Sequence, residues 1–439
     1  MSKVYLSFLG TNDYLPCTYY QGDQSRKNIR FVQEATLAFH CRDWTAEDRI
    51  LIFLTDEALK ANWKDNGHMD RRTGQPLDRK GLERCIQDLK LTSAFTPVPI
   101  CTGKSETEIW EIFDTMFSHL NSGDEVIFDI THALRSIPML AIVVLNYAKV
   151  LKNIRILGIY YGAFEVLGSL RDAENLKVNK RKVPVFDLTA FDLLTDWAFA
   201  IDRFTGSGDA EPAKNLALKT LKPVLAATQG KDATASALRG FTFALSDFTK
   251  SISTCRGPDI PHEVLKLKER LRACADVELI RPLLPLLRRI EKRMADFQDN
   301  PVLCGIEAAQ WCLDHNLIQQ GYTILQEFLI SHFILQIGED PMVLINRELV
   351  NQAVYIHINE VQVRRWNPKA AENAELVRRF LDYFDNVKPL IYSLRSMGQI
   401  RNDLNHAGFR DPRMKAKDFE ENLRKTLQEI KAFFGLNTE

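Results

Sequence analysis

The chain has no long hydrophobic run, no excess of either charge and no clustered cysteine. Its most apolar stretch, Met139 to Leu151, is broken by Asn146 and Lys149 and falls short of the roughly 20 residues a membrane helix needs, so no membrane association is expected. Lys plus Arg and Asp plus Glu are both 57 in 439 residues. That balance argues against a protein that coats nucleic acid by bulk charge, but leaves room for a local phosphate site. The cysteines (Cys17, Cys41, Cys85, Cys101, Cys255, Cys274, Cys304 and Cys312) form no C-x-x-C pair, and the nine histidines do not gather around them. Neither a zinc site nor a disulfide framework is expected. Met1-Ser2-Lys3 leads straight into a strand-like run without a signal-peptide pattern, which points to the cytoplasm. There is no G-x-G-x-x-G after the first strand, no Walker A motif and no G-x-S-x-G elbow, which removes the usual dinucleotide, kinase-like and hydrolase readings.

What is present is a two-part pattern. Near-continuous apolar runs at Val4–Leu9, Ile50–Leu54, Glu125–Ile130 and Ile154–Tyr161 alternate with amphipathic stretches such as Glu106–Leu120 and Pro138–Leu151. Such runs predict a parallel sheet covered on both faces, a doubly wound α/β domain whose ligands bind beyond the C-terminal strand ends. Lys177 to Lys182 reads as a solvated basic loop. From about Ala190 the strand signal stops and helical periodicity takes over, through Lys388–Met397 and a last helix at Met414–Phe434. We divide the chain into an α/β domain (1–189), a helical connecting region (190–300) and a C-terminal helical domain (301–439).

Two strand ends carry ligand chemistry. After the first strand comes Gly10-Thr11-Asn12-Asp13, where a Gly-led turn can bring amides, Thr11 and Asn12 to a phosphate or ribose. After the third clear strand comes Asp129-Ile130-Thr131-His132-Ala133-Leu134-Arg135-Ser136-Ile137-Pro138. Thr131, His132, Arg135 and Ser136 crowd a helix entrance, which favours anions. The plainer readings are an ordinary turn, a core histidine for His132, a helix cap for Ser136 and a surface ion pair for Arg135.

A third stretch, Arg401-Asn402-Asp403-Leu404-Asn405-His406, combines a permanent cation, a group titrating near neutrality and two amides, all suited to a phosphodiester. On an ideal helix Arg401 and His406 lie roughly 140° apart. They converge only if the helix starts or bends here, if Arg401 reaches round it, or if a second chain contributes. The plainer reading is a polar helix start capped by Asn402 or Asp403. Glu327 reads equally as a supporting or a surface carboxylate.

Together the stretches resemble a known family. Asp129 to Ser136 is similar to the D-x-T-H-G-x-R-S signature of CARF domains, Rossmann-like sensors associated with CRISPR systems. Arg401 to His406 resembles the R-x4-6-H motif of HEPN ribonucleases. The order resembles the CARF–HEPN ancillary ribonucleases of type III CRISPR systems, in the Csx group. That resemblance implies a Rossmann-like α/β sensor followed by an all-α HEPN domain, in a homodimer or higher oligomer. It implies a cyclic oligoadenylate activator, most often the tetra-adenylate, bound by Gly10, Thr11, Asn12, Thr131, His132, Arg135 and Ser136. It further implies a metal-independent endoribonuclease for single-stranded RNA, acting through Arg401, His406, Asn402 and Asn405 and leaving 2′,3′-cyclic phosphate and 5′-OH ends. DNA, which lacks the 2′-OH, is not an expected substrate. Ala133 stands where the family often has Gly, and its methyl narrows the backbone's approach to a ligand. The competing expectations are a non-catalytic sensor or adaptor, a ring nuclease that degrades its own activator, and a plain metabolite-binding protein.

Overall fold

Apolar side chains on both sides of a strand require cover on both sides of the sheet, and the first unit supplies it. The computed structural model describes residues 2–70, 73–132, 137–275, 283–409, 411 and 413–436. The chain divides into two compact units, Met1–Leu193 and Leu194–Glu439. The segments expected as a connecting region and as a C-terminal domain both fall in the second unit, apart from residues 190–193.

The strands of the first unit are β1 (Lys3–Leu9), β2 (Cys17–Gln21), β3 (Gln24–Ile29), β4 (Arg49–Leu54), β5 (Ala94–Pro99), β6 (Glu125–Asp129), β7 (Arg155–Gly162) and β8 (Lys182–Asp187). They form one sheet in the order β3-β2-β8-β7-β6-β1-β4-β5. The run from β7 through β6, β1 and β4 to β5 is parallel, with Val4 opposite Arg49 on one side and Val126 on the other. Tyr5, Ile50, Ile52 and Ile127 pack on one face against the Val32–His40 helix and Trp63. Val4, Leu6, Phe8, Phe53 and Phe128 pack on the other against Ile112 and Met116 and against Ala141, Val144 and Leu145. β5 is an outer strand carrying Pro97 and Pro99, residues that fit an edge because they cannot donate to a further strand.

The sheet is mixed, which departs from the all-parallel expectation: β2–β3 and β7–β8 are antiparallel. The β2–β3 hairpin escapes sequence reading because its residues are mostly polar. Its cue is Gly22, at φ +54 in the turn. β1 and β2 are consecutive in the chain yet separated in the sheet by β6, β7 and β8. Residues 10–16 therefore cross the C-terminal ends of β6 and β7 and the N-terminal end of β8 as a strap. Four strand spacings are about 19 Å, and the eight steps from Leu9 to Cys17 reach at most about 28 Å. Arg181, expected in a solvated loop, is instead buried beside the far end of the strap. Its guanidinium donates to the carbonyls of Ala173, Glu174 and Pro16.

The second unit is helical among the described residues. One core joins the helices Pro301–Asp314, Ile318–Gln336, Leu344–Ile358, Ala374–Phe384, Lys388–Asn405 and Ala416–Phe433. The Lys388–Asn405 helix begins with Pro389 in its first turn, buries Leu390, Ile391, Leu394, Met397 and Ile400, and runs eight residues past the expected end at Met397.

Candidate functional site

That longer helix changes the meaning of Arg401 to His406. The hexapeptide is a helix end, not a helix start, and neither Asn402 nor Asp403 caps an N-terminus. The Gly408 amide donates to the Asp403 carbonyl (3.2 Å) and the Ala407 amide to the Leu404 carbonyl (3.1 Å). With Ala407 at φ +52, this is a Schellman-type stop built on an alanine rather than the usual glycine. Asp403 is buried; its Oδ2 accepts the Met414 amide at 2.7 Å and ties the helix end to the segment that follows. His406 and Asn402 are exposed, and Arg401 is half-buried.

Arg401 is held by a residue on another helix. Its Nη1 donates to Glu327 Oε1 at 2.7 Å, while Arg347 Nη2 donates to Glu327 Oε2 at 2.6 Å. Arg347 also donates to Ser331 Oγ and to the carbonyls of Glu327 and Pro341. Burial raises the Glu327 carboxyl's pKa, but hydrogen bonds from Arg347 and Arg401 outweigh it and hold the group below the usual glutamate range. Glu327 thus fixes Arg401 through Nη1. Asn405 Oδ1 accepts from Gln319 Nε2 at 3.3 Å. Arg401, Asn402, Asn405 and His406 therefore share one helix end. Arg401 and Asn405 are tethered to the Ile318–Gln336 helix, and His406 stands outward.

The first unit has a cleft of ≈ 450 Å³ at the C-terminal ends of β1, β4, β5 and β6, where the strand order reverses. Gly10, Thr11, Asn12, Thr131 and His132 all line it, joined by Tyr14, Thr55, Thr102 and Lys104. Asn62, buried beneath the strap, donates through Nδ2 to the carbonyls of Gly10 (2.9 Å) and Asn12 (2.8 Å) and so fixes the loop. The Thr131 hydroxyl oxygen accepts the Gly162 amide at 2.8 Å, so part of its bonding capacity is structural. Asp129, fully buried, accepts from Tyr5 (3.1 Å), Thr36 (2.8 Å) and the Thr131 amide (3.0 Å); burial nevertheless raises its pKa.

The His132 ring packs on Tyr14 at 4.0 Å between centroids, and its Nε2 is shielded with no partner among the described residues. Burial lowers its pKa to about 3, so it offers a neutral imidazole rather than a cation. Arg135 and Ser136, and Ala133 between them and His132, lie outside the described residues. Lys104 is the cation the described part of the cleft supplies.

Sequence reasoning missed Asn62, Tyr14, Lys104 and Arg347 and left Glu327 undecided. A signal existed for Glu327: it interrupts the apolar run Ile324-Leu325-Gln326-Glu327-Phe328-Leu329-Ile330. Asn62 had none, because it acts on a loop fifty residues away. Among the described residues no group of three or more His, Cys, Asp or Glu is placed to hold a metal ion, and no helix is long and apolar enough to cross a membrane.

No family model matches the chain. It is 25% identical over 321 residues to "CRISPR-associated protein MJ1674" of Methanocaldococcus jannaschii. The match covers 72% of this chain and 42% of that protein, so it spans less than half of the relative's length. The chain, an α/β unit followed by an all-helical unit, is thus a relative of a CRISPR-associated protein.

Proposed function

We propose that the chain serves CRISPR defence as an endoribonuclease switched on by a cyclic oligoadenylate. The observation that carries this reading is the helix end at Arg401–His406. There a cation fixed by Glu327 and an exposed imidazole five residues further on share one polar helix end. RNA brings its own nucleophile, the ribose 2′-OH, so a site of this kind needs charge stabilisation and proton transfer rather than a nucleophilic side chain. Arg401 stabilises the charge that develops on the phosphate. His406 gives or takes the proton, and Asn402 and Asn405 orient the phosphate and hold the motif.

The cleft around Gly10, Thr11, Asn12, Thr131 and His132 takes the activator. A neutral His132 with an unpaired ring nitrogen suits a base or ribose edge, and Lys104 suits phosphate. The relative's CRISPR association supports the biological setting. The active form is a homodimer, because a helix end with one imidazole and one arginine gains its counterpart from a second copy. Met139, Val143, Val150 and Leu151, exposed on the Ile137–Lys152 helix, offer such a copy an apolar face.

Cyclic tetra-adenylate and cyclic hexa-adenylate, added separately to the protein with a labelled single-stranded RNA and EDTA, test the reading. Cleavage with one ring, 2′,3′-cyclic phosphate ends and loss of cutting in Arg401→Ala support it. Absence of cutting with both rings refutes it. Conversion of the ring itself, without RNA cleavage, would make the first unit a nuclease instead.

A further inference from the structure

Beside Arg401 the second unit has another cleft, of ≈ 360 Å³, whose lining beyond Arg401 and Asn402 the foregoing chemistry does not use. It lies among the Ile318–Gln336, Leu344–Ile358 and Lys388–Asn405 helices, and its size suits one small ligand. Arg401 and Asn402 form its end nearest the motif. Gln326, Asn351, Tyr355 and Arg395 give it chemistry.

Two of these groups are unsatisfied. Gln326 is only 7% exposed, and its Oε1 has no hydrogen-bond partner among the described residues. The buried Nη1 of Arg395 also lacks one. A buried acceptor and a buried donor left unpartnered, on two residues that line one cleft, are unfavourable unless a ligand or solvent completes them. Tyr355, 60% exposed on the same wall, presents an aromatic face.

Gly398 adds an independent sign. Glycine is unfavourable inside a helix, and it is usually kept there where a neighbour presses close. Here the nearest atom to a Cβ built at Gly398 would be the Gln326 amide nitrogen, at 3.8 Å. Packing does not demand the glycine. Its missing side chain leaves the floor of the cleft open.

We propose that this cleft is a nucleobase subsite, which reads the base next to the phosphate held by Arg401. The inference rests on the ribonuclease reading for the identity of the polynucleotide. The base stacks on Tyr355, the sequence-tolerant part of single-strand recognition. Its hydrogen-bonding edge meets the Gln326 amide and the Arg395 guanidinium, which turn toward it as their unpartnered atoms are completed, and this discriminates among bases. Its phosphate points to Arg401. Cleavage is therefore confined to a subset of dinucleotide steps.

The four nucleoside 3′-monophosphates, titrated one at a time into the full-length protein by calorimetry, test this without requiring catalysis. One base is expected to bind at least about tenfold more tightly than the weakest. Arg395→Met and Gln326→Leu flatten that preference, and Tyr355→Phe keeps binding where Tyr355→Ala weakens all four nucleotides alike. Gly398→Leu fills the floor and abolishes binding while its melting temperature stays at or above that of the unsubstituted protein. Equal binding of all four, no binding of any, or unchanged binding in Gly398→Leu overturns the proposal. Base-selective binding in a protein that cuts no RNA under either activator upholds the subsite and removes the ribonuclease reading.

Discussion

Removing the Glu327 carboxylate tests how Arg401 is held. The carboxylate is shared between two guanidiniums, with side-chain exposures of 38% for Glu327, 26% for Arg401 and 23% for Arg347. Exposed pairs contribute about 0–1 kcal/mol, and stripping one partner from a buried pair costs about 3–5 kcal/mol. The exposures place this trio between those limits, so Glu327→Ala should destabilise the second unit by about 1.5–2.5 kcal/mol. Glu327→Gln should lose less, because its amide oxygen still accepts from one arginine.

The pH dependence has a definite sign. The folded-state pKa lies below the ordinary glutamate value of 4.5. The stabilisation is therefore complete above the unfolded-state value and disappears as pH falls through the folded-state value. Urea unfolding followed by amide exchange in the Ile318–Gln336 helix, in a Glu327→Ala/Arg401→Ala cycle, isolates the coupling. A coupling within about 0.5 kcal/mol of zero would refute the reasoning. So would a wild-type protein whose acid sensitivity matches that of Glu327→Gln.

Other outcomes follow from the same geometry. His406→Ala should lower activator-dependent RNA cleavage by about 10²–10⁴-fold with the fold intact, since His406 is exposed; circular dichroism and a cleavage time course check both halves. Ala407→Gly should raise stability by about 1 kcal/mol, because Ala407 occupies a left-handed conformation that glycine adopts without penalty; thermal unfolding reads it directly. Gly10→Ala places a methyl 2.5 Å from the Tyr14 hydroxyl, which is packed against His132, and should weaken cyclic oligoadenylate binding about tenfold or more by calorimetry. His132 is neutral down to about pH 3 in the folded unit. As pH drops below the ordinary histidine range, the unfolded chain therefore takes up a proton that the folded unit does not. His132→Gln should accordingly lose less stability than the wild type between pH 6.5 and 4.

The two-part layout was legible because its signals are local. Apolar strands at Val4–Leu9, Ile50–Leu54 and Glu125–Ile130 alternate with helices, and a helical period replaces them after Ala190. The β2–β3 hairpin was not legible, since a polar hairpin is stabilised by the strand it joins rather than by its own pattern. Both Gly10–Asn12 and Thr131–His132 fell on one cleft because strand ends of a doubly wound sheet must converge there. The end of the Lys388–Asn405 helix was misjudged. Asn402, Asp403 and Asn405 favour helix starts in isolation, but Met397, Ile400 and Leu404 keep the buried stripe going and tertiary packing prevails. Partners such as Asn62 for the strap and Arg347 for Glu327 depend on approach between distant segments, which one sequence does not encode in any local pattern.

The strap over β6, β7 and β8 also fixes the order in which the first unit can be completed. Thr18 pairs with Lys182 across more than 160 residues, so the β2–β3 hairpin has no strand of the main sheet to join until β8 is in place. The hairpin is made early by a ribosome and used late. Such a long-range closure slows folding and leaves an unpaired strand edge waiting. The strap spends about two-thirds of its reach on the crossing. The remaining third is slack, and Asn62 takes it up by holding the carbonyls of Gly10 and Asn12. The wall of the ligand cleft that Gly10 and Asn12 form is thus set by this long-range closure and by Asn62, and not by local pairing alone.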